Sequence, residues 1–232
     1  MPKLTDNRTG DKLRRTSVPR MHGFEHEMSS QSHWQDVYVR KPSDEQSWYQ
    51  SRPDLSLEWI DRIAGEAPTR LVDVGGGAST LVDHLLPRWG FDVTVADIAP
   101  AALETAKKRL GDQAEQVTWR VADLTEPLDW GERFHIWHDR AVFHFLVEED
   151  DRRAYLANLE RHLNDDGHVI IATFALQGPE TCSGLPVRRY SPETLAETLG
   201  EKWRLVESRR ELHATPWGGE QAFVYTHFGQ AS

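Results

Sequence analysis

The sequence has a single cysteine, Cys182, so no disulfide bond can form within the chain. Long apolar runs are also missing: stretches such as Val169–Ala172 are far shorter than the roughly 20 residues that a membrane-spanning helix needs. The first residues are charged and polar, without the apolar segment of a secretory signal. We therefore expect a cytoplasmic protein without a membrane partner.

An excess of basic residues is absent as well. The formal net charge of -10 disfavours nucleic-acid backbones and anionic membranes as partners. There are 11 histidines, but no Cys/His spacing matches that of a metal site, and we expect no metal. We expect a small-molecule substrate and a monomer or weak homodimer.

The length of 232 residues fits one domain with a sizeable core, preceded by a short extension. Residues 1–30 are polar and lack sustained periodicity, which predicts a flexible N-terminal extension. Residues 31–232 form the predicted domain. Its first part, residues 31–53, mixes aromatic and polar side chains; we call it the lid segment. These aromatics either pack against the outside of the domain or close over a bound ligand.

The most informative stretch is Thr69–Thr80, where a β-branched apolar run is followed by three glycines and small residues. Glycine permits a sharp turn and lets a ligand approach the backbone closely. The residues that follow, Ala78–Leu86, are predicted to open a helix whose free N–H groups suit a polar ligand. The pattern predicts a strand, a loop and a helix that together hold a nucleotide.

Strands and helices then alternate along the chain, which predicts a parallel sheet with helices on both faces. Residues 164–167 read as a turn, and the last two strands follow each other without a helix between them. The expected fold is α/β: a Rossmann-like, seven-stranded, mostly parallel sheet whose last strand is antiparallel. The remaining predicted helices are 54–63, 100–110, 149–163 and one starting at Ser191; the remaining strands are 91–97, 117–121, 134–137, 168–174, 203–210 and 221–228.

The glycine pattern alone does not identify the nucleotide, because it lacks the third glycine of a dinucleotide fingerprint. Asp97 ends the second strand, where a carboxylate accepts hydrogen bonds from ribose, which suits NAD and S-adenosylmethionine equally. Asp73 can face an ammonium group, which NAD lacks, and Asp123 ends the third strand near a possible adenine amino group. No tyrosine is followed by lysine four residues later, which argues against a short-chain dehydrogenase.

The motifs around Asp73, Asp97 and Asp123, with the reversed last strand, resemble class I S-adenosylmethionine-dependent methyltransferases from about residue 33 to residue 228. The resemblance implies S-adenosylmethionine as cofactor and S-adenosylhomocysteine as product. By that likeness, Asp73 and Gly75–Gly77 line the methionine moiety. By the same likeness Asp97 holds the ribose, Asp123 with Leu124 holds the adenine, and Trp48, Ile98 and Asp139 are further cofactor contacts.

A narrower resemblance concerns Ile136–Ala141. This segment is similar to the Trp-Asp-Arg-Gly-Ala segment of thiopurine S-methyltransferases and related small-thiol methyltransferases, but it inserts His138 and lacks the glycine. The same regions are loosely similar to protein-lysine methyltransferases. The resemblance implies transfer of a methyl group to a small thiol; the alternatives are a protein-lysine N-methyltransferase and a non-catalytic S-adenosylmethionine-binding protein.

Three consecutive residues, His138, Asp139 and Arg140, are the candidate catalytic group. Asp139 and Arg140 would orient the acceptor, Arg140 would favour an anionic nucleophile, and His138 or His144 would take its proton. The alternatives are a structural ion pair for Arg140 and a packed core histidine for His144. The candidate substrate contacts are Trp34, Tyr49, His144 and Cys182. For Cys182 the alternative is an ordinary buried or loop thiol.

Overall fold

The computed structural model describes residues 22–231, and for residues 22–29 only the backbone. Helix α1 (His22–Arg40) begins inside the predicted extension, so residues 22–30 are helical; residues 1–21 lie outside the described residues. The other helices are α2 (Asp54–Ala64), α3 (Leu81–Leu85), α4 (Pro100–Leu110), α5 (Glu149–His162) and α6 (Pro192–Leu199), with short 3-10 turns at Ser43–Glu45, Gly111–Gln116 and Phe143–Phe145.

The strands form a 7-stranded sheet and a separate 2-stranded hairpin. The strands are β1 (Thr69–Val74), β2 (Phe91–Asp97), β3 (Val117–Val121), β4 (Phe134–Arg140), β5 (Leu163–Phe174), β6 (Thr181–Cys182), β7 (Leu185–Pro186), β8 (Trp203–Ala214) and β9 (Glu220–Gln230). The order is β3-β2-β1-β4-β5-β9-β8, and β9 runs antiparallel to both of its neighbours. The predicted fold class is thereby confirmed.

The sheet is buried on both faces, as expected of a parallel sheet covered by helices. One face packs Leu71, Val93 and Ile136 against α2, α3 and α4. The other packs Val72 and Trp137, the neighbours of those residues in β1 and β4, against α5 and α6. Successive strand residues point to opposite faces, so each strand reads as an almost continuous apolar run. Each fully buried large apolar side chain stabilises the fold by about 1.5–3 kcal/mol.

The structure corrects the predicted bounds of two strands, β4 and β5. Strand β4 does not end at Trp137 but continues through Arg140, because each polar side chain at its end finds a buried partner. Residues 164–167 belong to β5 and not to a turn. They form a bulge: β5 pairs with Phe134 at Leu163 and then with Ile136 at His168.

The topology determines where a ligand can bind. From β1 the chain builds β2 and β3 on one side and then returns to place β4 on the other. Ligands of such sheets bind outside the carboxyl ends of the strands, at the point where the strand order reverses. That point is the crevice between β1 and β4. Within residues 22–231, no helix has the length and apolar character needed to cross a bilayer.

Candidate active site

A cavity of about 380 Å³ lies at this crevice, within the range of roughly 300–1,000 Å³ typical of small-molecule sites. Its floor consists of residues from the ends of β1, β2, β3 and β4, and the lid segment and the residues after β4 form its walls. The cavity-lining residues that the sequence predicts as site residues are Trp34, Trp48, Tyr49, Asp73, Gly75, Gly76, Asp97, Ile98, Asp123, Leu124, His138 and Arg140.

The glycine loop has no space for side chains, so its backbone lies close to its neighbours. Gly75 and Gly77 both have positive φ, 63° and 36°. A Cβ on Gly75 would strike Val142, and one on Gly77 would lie 2.5 Å from the Asp97 carboxylate. Helix α3 begins only at Leu81, not at Ala78 as predicted, and the Ser79 hydroxyl accepts a hydrogen bond from the Leu81 N–H at 3.1 Å. At Gly75 and Gly76 the loop therefore presents backbone without side chains to the cavity.

Asp97 ends β2 and faces the cavity with one carboxylate oxygen engaged by the Ala99 N–H at 2.8 Å. Burial raises the pKa of Asp97 to about 7; the Ala99 hydrogen bond opposes this shift and the nearby Asp73 adds to it. The protein thus holds a carboxylate that is only partly ionised at neutral pH. Hydrogen-bond donors from a ligand would restore the ionised form.

At the adjacent strand end, Asp123 forms a local cap. Its Oδ1 accepts hydrogen bonds from the N–H of Thr125 at 2.8 Å and from the Thr125 hydroxyl at 2.7 Å. Ile98 and Leu124 add apolar surface to the same part of the cavity. This arrangement offers a carboxylate beside an apolar slot, as a flat heterocycle with an amino group requires.

Several residues of the lid segment line the cavity. Helix α1 is tied down by the Gln31 side chain, which donates to the Ile98 carbonyl at 3.1 Å, and by Gln35, which accepts from the Ala101 N–H at 3.0 Å. Trp34 packs edge-on against Trp48, with ring centroids 5.9 Å apart. Trp34 also meets Phe145 at 4.9 Å. These aromatic rings form one wall of the cavity.

Tyr38 lines the cavity as well, and the sequence reasoning missed it. Its hydroxyl lies 3.2 Å from the position that a Cβ on Gly77 would take, and burial followed by the Asp97 charge raises its pKa. The available signal was helical spacing, because Tyr38 follows Trp34 by one helical turn and so shares its face.

Of the three candidate catalytic residues on β4, His138 and Arg140 line the cavity and Asp139 does not. His138 lines the cavity, but both of its ring nitrogens are engaged: Nδ1 lies 2.7 Å from Oδ1 of Asp73 and Nε2 lies 2.9 Å from the Ser56 hydroxyl. No ring nitrogen is free to take a proton from an acceptor. Ser56, which is fully buried, is a second residue that the sequence reasoning missed.

Asp139 points to the opposite face of the sheet and does not line the cavity, which corrects both of its predicted roles. Its fully buried carboxylate accepts hydrogen bonds from the Tyr155 hydroxyl at 2.7 Å and from the N–H groups of Val142 and Phe143 at 3.1 and 3.3 Å. Burial raises the pKa of Asp139 to about 6. Asp139 organises the turn after β4.

Arg140 lines the cavity and is fixed from two sides. Its Nε donates to the Tyr225 hydroxyl and its Nη1 to the Trp48 carbonyl, each at 2.8 Å. Glu211 lies 3.6 Å from Nη2 and balances the charge. Arg140 is therefore an oriented guanidinium in an ion pair, and it also connects β4 to the lid segment.

Two predicted substrate contacts lie outside the cavity lining. His144 is fully buried, its Nδ1 accepts from the Phe174 N–H at 3.2 Å, and burial lowers its pKa to about 3. It is a neutral core histidine. Cys182 is 5% exposed, its sulfur lies 4.0 Å from the Ser47 hydroxyl, and burial raises its pKa. It is a buried thiol of the hairpin β6–β7.

In the part of the chain that the structure describes, no group of three or more His, Cys, Asp or Glu side chains could hold a metal ion. The strand ends bring to the cavity two carboxylates at the ends of β1 and β2, a third just after β3, and the guanidinium at the end of β4, and Glu148 and Asp151 line it as well.

Comparison with known proteins finds a family model that matches part of the chain. Residues 72–169 match a family model described as a methyltransferase domain. A malonyl-[acyl-carrier protein] O-methyltransferase of Anoxybacillus flavithermus is 30% identical over 108 residues, which are 46% of this chain and 39% of that protein. This chain thus aligns with about two fifths of that curated relative.

Solved structures are similar over most of the chain. The 1,6-didemethyltoxoflavin N1-methyltransferase of Burkholderia thailandensis, solved with 1,6-didemethyltoxoflavin and S-adenosylhomocysteine, has a TM-score of 0.64 at 21% identity and covers 94% of this chain and 93% of its own. A protein studied for the conversion of a disulfide bond into a thioacetal group during echinomycin biosynthesis has a TM-score of 0.67 at 19% identity, covering 86% and 91%. These likenesses establish the fold, and the matched segment spans the cavity floor from β1 to β5.

Proposed function

We propose that this chain is a class I S-adenosylmethionine-dependent methyltransferase and that it transfers the methyl group of that cofactor to a small-molecule thiol. Its fold and the match of residues 72–169 to a methyltransferase-domain model support the proposal. The observation that carries the small-molecule assignment is the lid segment. Its aromatic rings form a wall of the cavity, whose volume of about 380 Å³ is that of a small-molecule site.

The cofactor end of the site follows from the carboxylates and the glycine loop. A Cβ on Gly76 would come 2.5 Å from Asp73, so the backbone is bare where the methionine moiety would lie. In the proposed complex Asp73 faces the ammonium group, Asp97 accepts hydrogen bonds from the ribose hydroxyls, and Asp123 takes the adenine amino group. The cofactor supplies an electrophilic methyl group on a sulfonium.

The acceptor end lies between the aromatic wall and Arg140. Methyl transfer requires alignment of the nucleophile with the methyl carbon and exclusion of water, and the lid segment supports both. The acceptor sulfur forms a bond to the methyl carbon while the bond from that carbon to the cofactor's sulfur breaks. The rings of Trp34 and Trp48 would orient an apolar acceptor so that its sulfur, the methyl carbon and the cofactor's sulfur lie in one line.

The proposal of a thiol rests on the side chains of β4. His138 has no free nitrogen, Asp139 lies on the other face, and Arg140 is a cation, so β4 offers no base to an acceptor. A thiol with a pKa of about 8.5 ionises in part at neutral pH and can lose its proton to water before it binds. A phenol or an alcohol, with a higher pKa, would need a base.

The similar proteins differ in the chemistry for which they are named: an O-methyltransferase, an N1-methyltransferase and the conversion of a disulfide bond into a thioacetal group. Function depends on the site and not on the fold. The last of these concerns sulfur chemistry, which agrees with the proposed acceptor.

The test uses matched acceptors that differ in one atom: thiophenol, phenol and aniline, each with labelled S-adenosylmethionine. We expect thiophenol to be methylated at least about tenfold faster than the other two at pH 7.5, since its thiol ionises unaided whereas phenol stays protonated, and a thiolate is a stronger nucleophile than the neutral nitrogen of aniline. Faster methylation of aniline or phenol would contradict the thiol assignment. Binding of S-adenosylhomocysteine without turnover of any acceptor would favour a binding protein.

Arg140→Ala tests the acceptor end separately. Turnover should fall by about tenfold while the affinity for S-adenosylhomocysteine stays within about twofold, because one oriented charged contact is worth about 1.4 kcal/mol. The matched control is Arg209→Ala, which removes an exposed guanidinium paired with Glu58, far from the cavity lining. Equal turnover of Arg140→Ala and Arg209→Ala would contradict a role for Arg140.

A further inference from the structure

A continuous line of buried polar side chains runs beneath the cavity. Asp73 and Arg140 stand at its two ends, and both line the cavity. Between them lie His138, Ser56 and Tyr225, which are 2%, 0% and 0% exposed. Buried polar groups are costly unless they are hydrogen-bonded, so a run of five such residues needs an explanation beyond packing.

Each contact in this line is a hydrogen bond. Arg140 Nε donates to the Tyr225 hydroxyl at 2.8 Å, and the Tyr225 hydroxyl is hydrogen-bonded to the Ser56 side chain. The Ser56 hydroxyl lies 2.9 Å from Nε2 of His138, and Nδ1 of His138 lies 2.7 Å from Oδ1 of Asp73.

The Asp73 end determines the direction of the bonds at His138. An ionised aspartate can only accept, so Nδ1 of His138 donates to Asp73. In the neutral imidazole Nε2 then carries no proton and accepts from the Ser56 hydroxyl. The line therefore selects one tautomer of His138 and one orientation of the Asp73 carboxylate.

We propose that His138 and Ser56 are positioning residues that hold Asp73 ready for the cofactor's ammonium group through this buried relay, with Tyr225 behind Ser56. The relay rests on the proposed function, since Asp73 is its cofactor contact there. Asp73 keeps its second oxygen, Oδ2, for the ligand. Neither Ser56 nor Tyr225 lines the cavity, so they act only through their neighbours.

The test compares two ligands. S-adenosylhomocysteine carries the ammonium group, whereas 5′-methylthioadenosine has the same adenosine but no amino-acid moiety. Ser56→Ala should weaken the binding of S-adenosylhomocysteine by about tenfold in calorimetry and that of 5′-methylthioadenosine by less than about twofold. The reason is that Ser56 orients His138 for its hydrogen bond to the charged Asp73. Ser56→Thr keeps the hydroxyl and should restore the affinity.

The matched control is Thr226→Val. The Thr226 hydroxyl is also fully buried and donates to the Ile171 carbonyl at 2.9 Å, next to Tyr225 but outside the relay. Its loss should destabilise the fold without changing the ratio of the two affinities. Equal weakening of both ligands by Ser56→Ala, or none, would overturn the proposal.

A second readout does not depend on ligand binding. Nitrogen-15 NMR of the histidine rings should show His138 protonated at Nδ1 and bare at Nε2, and Tyr225→Phe should shift those signals while Thr226→Val should not. Protonation at Nε2 alone would overturn the relay, whether or not Ser56→Ala folds. If the unaltered protein fails to bind S-adenosylhomocysteine, the proposed function fails, and the NMR result still judges the relay.

Discussion

Cofactor affinity should fall steeply as the pH drops below neutrality, because Asp97 must be ionised to accept the ribose hydroxyls. Burial raises the pKa of Asp97 to about 7. With that pKa, about nine tenths of the carboxyl groups are ionised at pH 8 and about one tenth at pH 6. If only the ionised form binds, the affinity for S-adenosylhomocysteine falls by about tenfold between these two values, equivalent to about 1.4 kcal/mol.

The assay is calorimetric titration of S-adenosylhomocysteine at several values between pH 6 and pH 8, with Asp97→Asn beside the unaltered protein. The asparagine cannot ionise, so its affinity should be low and independent of pH over this range. The unaltered protein should reach the affinity of the variant near the acid end. A flat profile for the unaltered protein, or the same slope in Asp97→Asn, would refute the reasoning.

The same residue should move the stability of the ligand-free protein in the opposite direction. Burial raises the pKa of Asp97 in the folded protein from its ordinary value of 3.8 to about 7, so the folded protein binds a proton that the unfolded chain lacks between about pH 4 and about pH 7. Its contribution to stability is therefore lost as the pH rises through 7. The melting temperature of the unaltered protein relative to Asp97→Asn should fall from pH 6 to pH 8; a rise would contradict the raised pKa.

Three further substitutions test separate parts of the site. Gly77→Ala should reduce cofactor affinity by about tenfold or more in calorimetry, since its Cβ would lie 2.5 Å from the Asp97 carboxylate; Gly65→Ala, also at positive φ but in open space, is the control and should bind normally. Asp139→Ala should lower the free energy of unfolding by about 2–4 kcal/mol in denaturant titration, because three donors lose their acceptor; an unchanged midpoint would contradict its role in the turn. Cys182→Ser should keep kcat/KM unchanged, because the thiol is buried away from the cavity lining; a tenfold loss would return it to the acceptor site.

Sequence patterns predict the framework well where local chemistry decides it. The bounds of β3 and α4 agree with the structure to the residue, since β-branched apolar runs, proline at the first helical turn and glycine after the last define them locally. The carboxylates at the ends of β1, β2 and β3 line the cavity because parallel strands all end at the same edge of a sheet.

The errors occur where tertiary contacts decide. Residues 164–167 have turn-forming side chains but are taken into a bulge beside β4, which no local pattern reveals. On β4, the sequence groups His138, Asp139 and Arg140 as one catalytic set. Because successive strand residues point to opposite faces, Asp139 lies on the face opposite to that of His138 and Arg140. That separation was predictable once the strand was known to continue; the burial of its polar end was not.

The roles of the histidines also depended on partners distant in sequence. His138 reads as a base, yet Asp73 and Ser56 occupy both of its nitrogens across 65 and 82 positions of sequence. His144 reads as a substrate contact, yet the Phe174 backbone and the surrounding rings hold it in the core. Neither partner is visible until the chain is folded.

The proposed activity is methyl transfer from S-adenosylmethionine to a small molecule in the cavity between β1 and β4. The direct measurement incubates the protein with methyl-labelled S-adenosylmethionine and a cell extract divided by ultrafiltration into small molecules and proteins. The account predicts label in extractable products of the small-molecule fraction, lost on Asp73→Asn and on Asp97→Asn. Label confined to protein, or no transfer to either fraction, would contradict it.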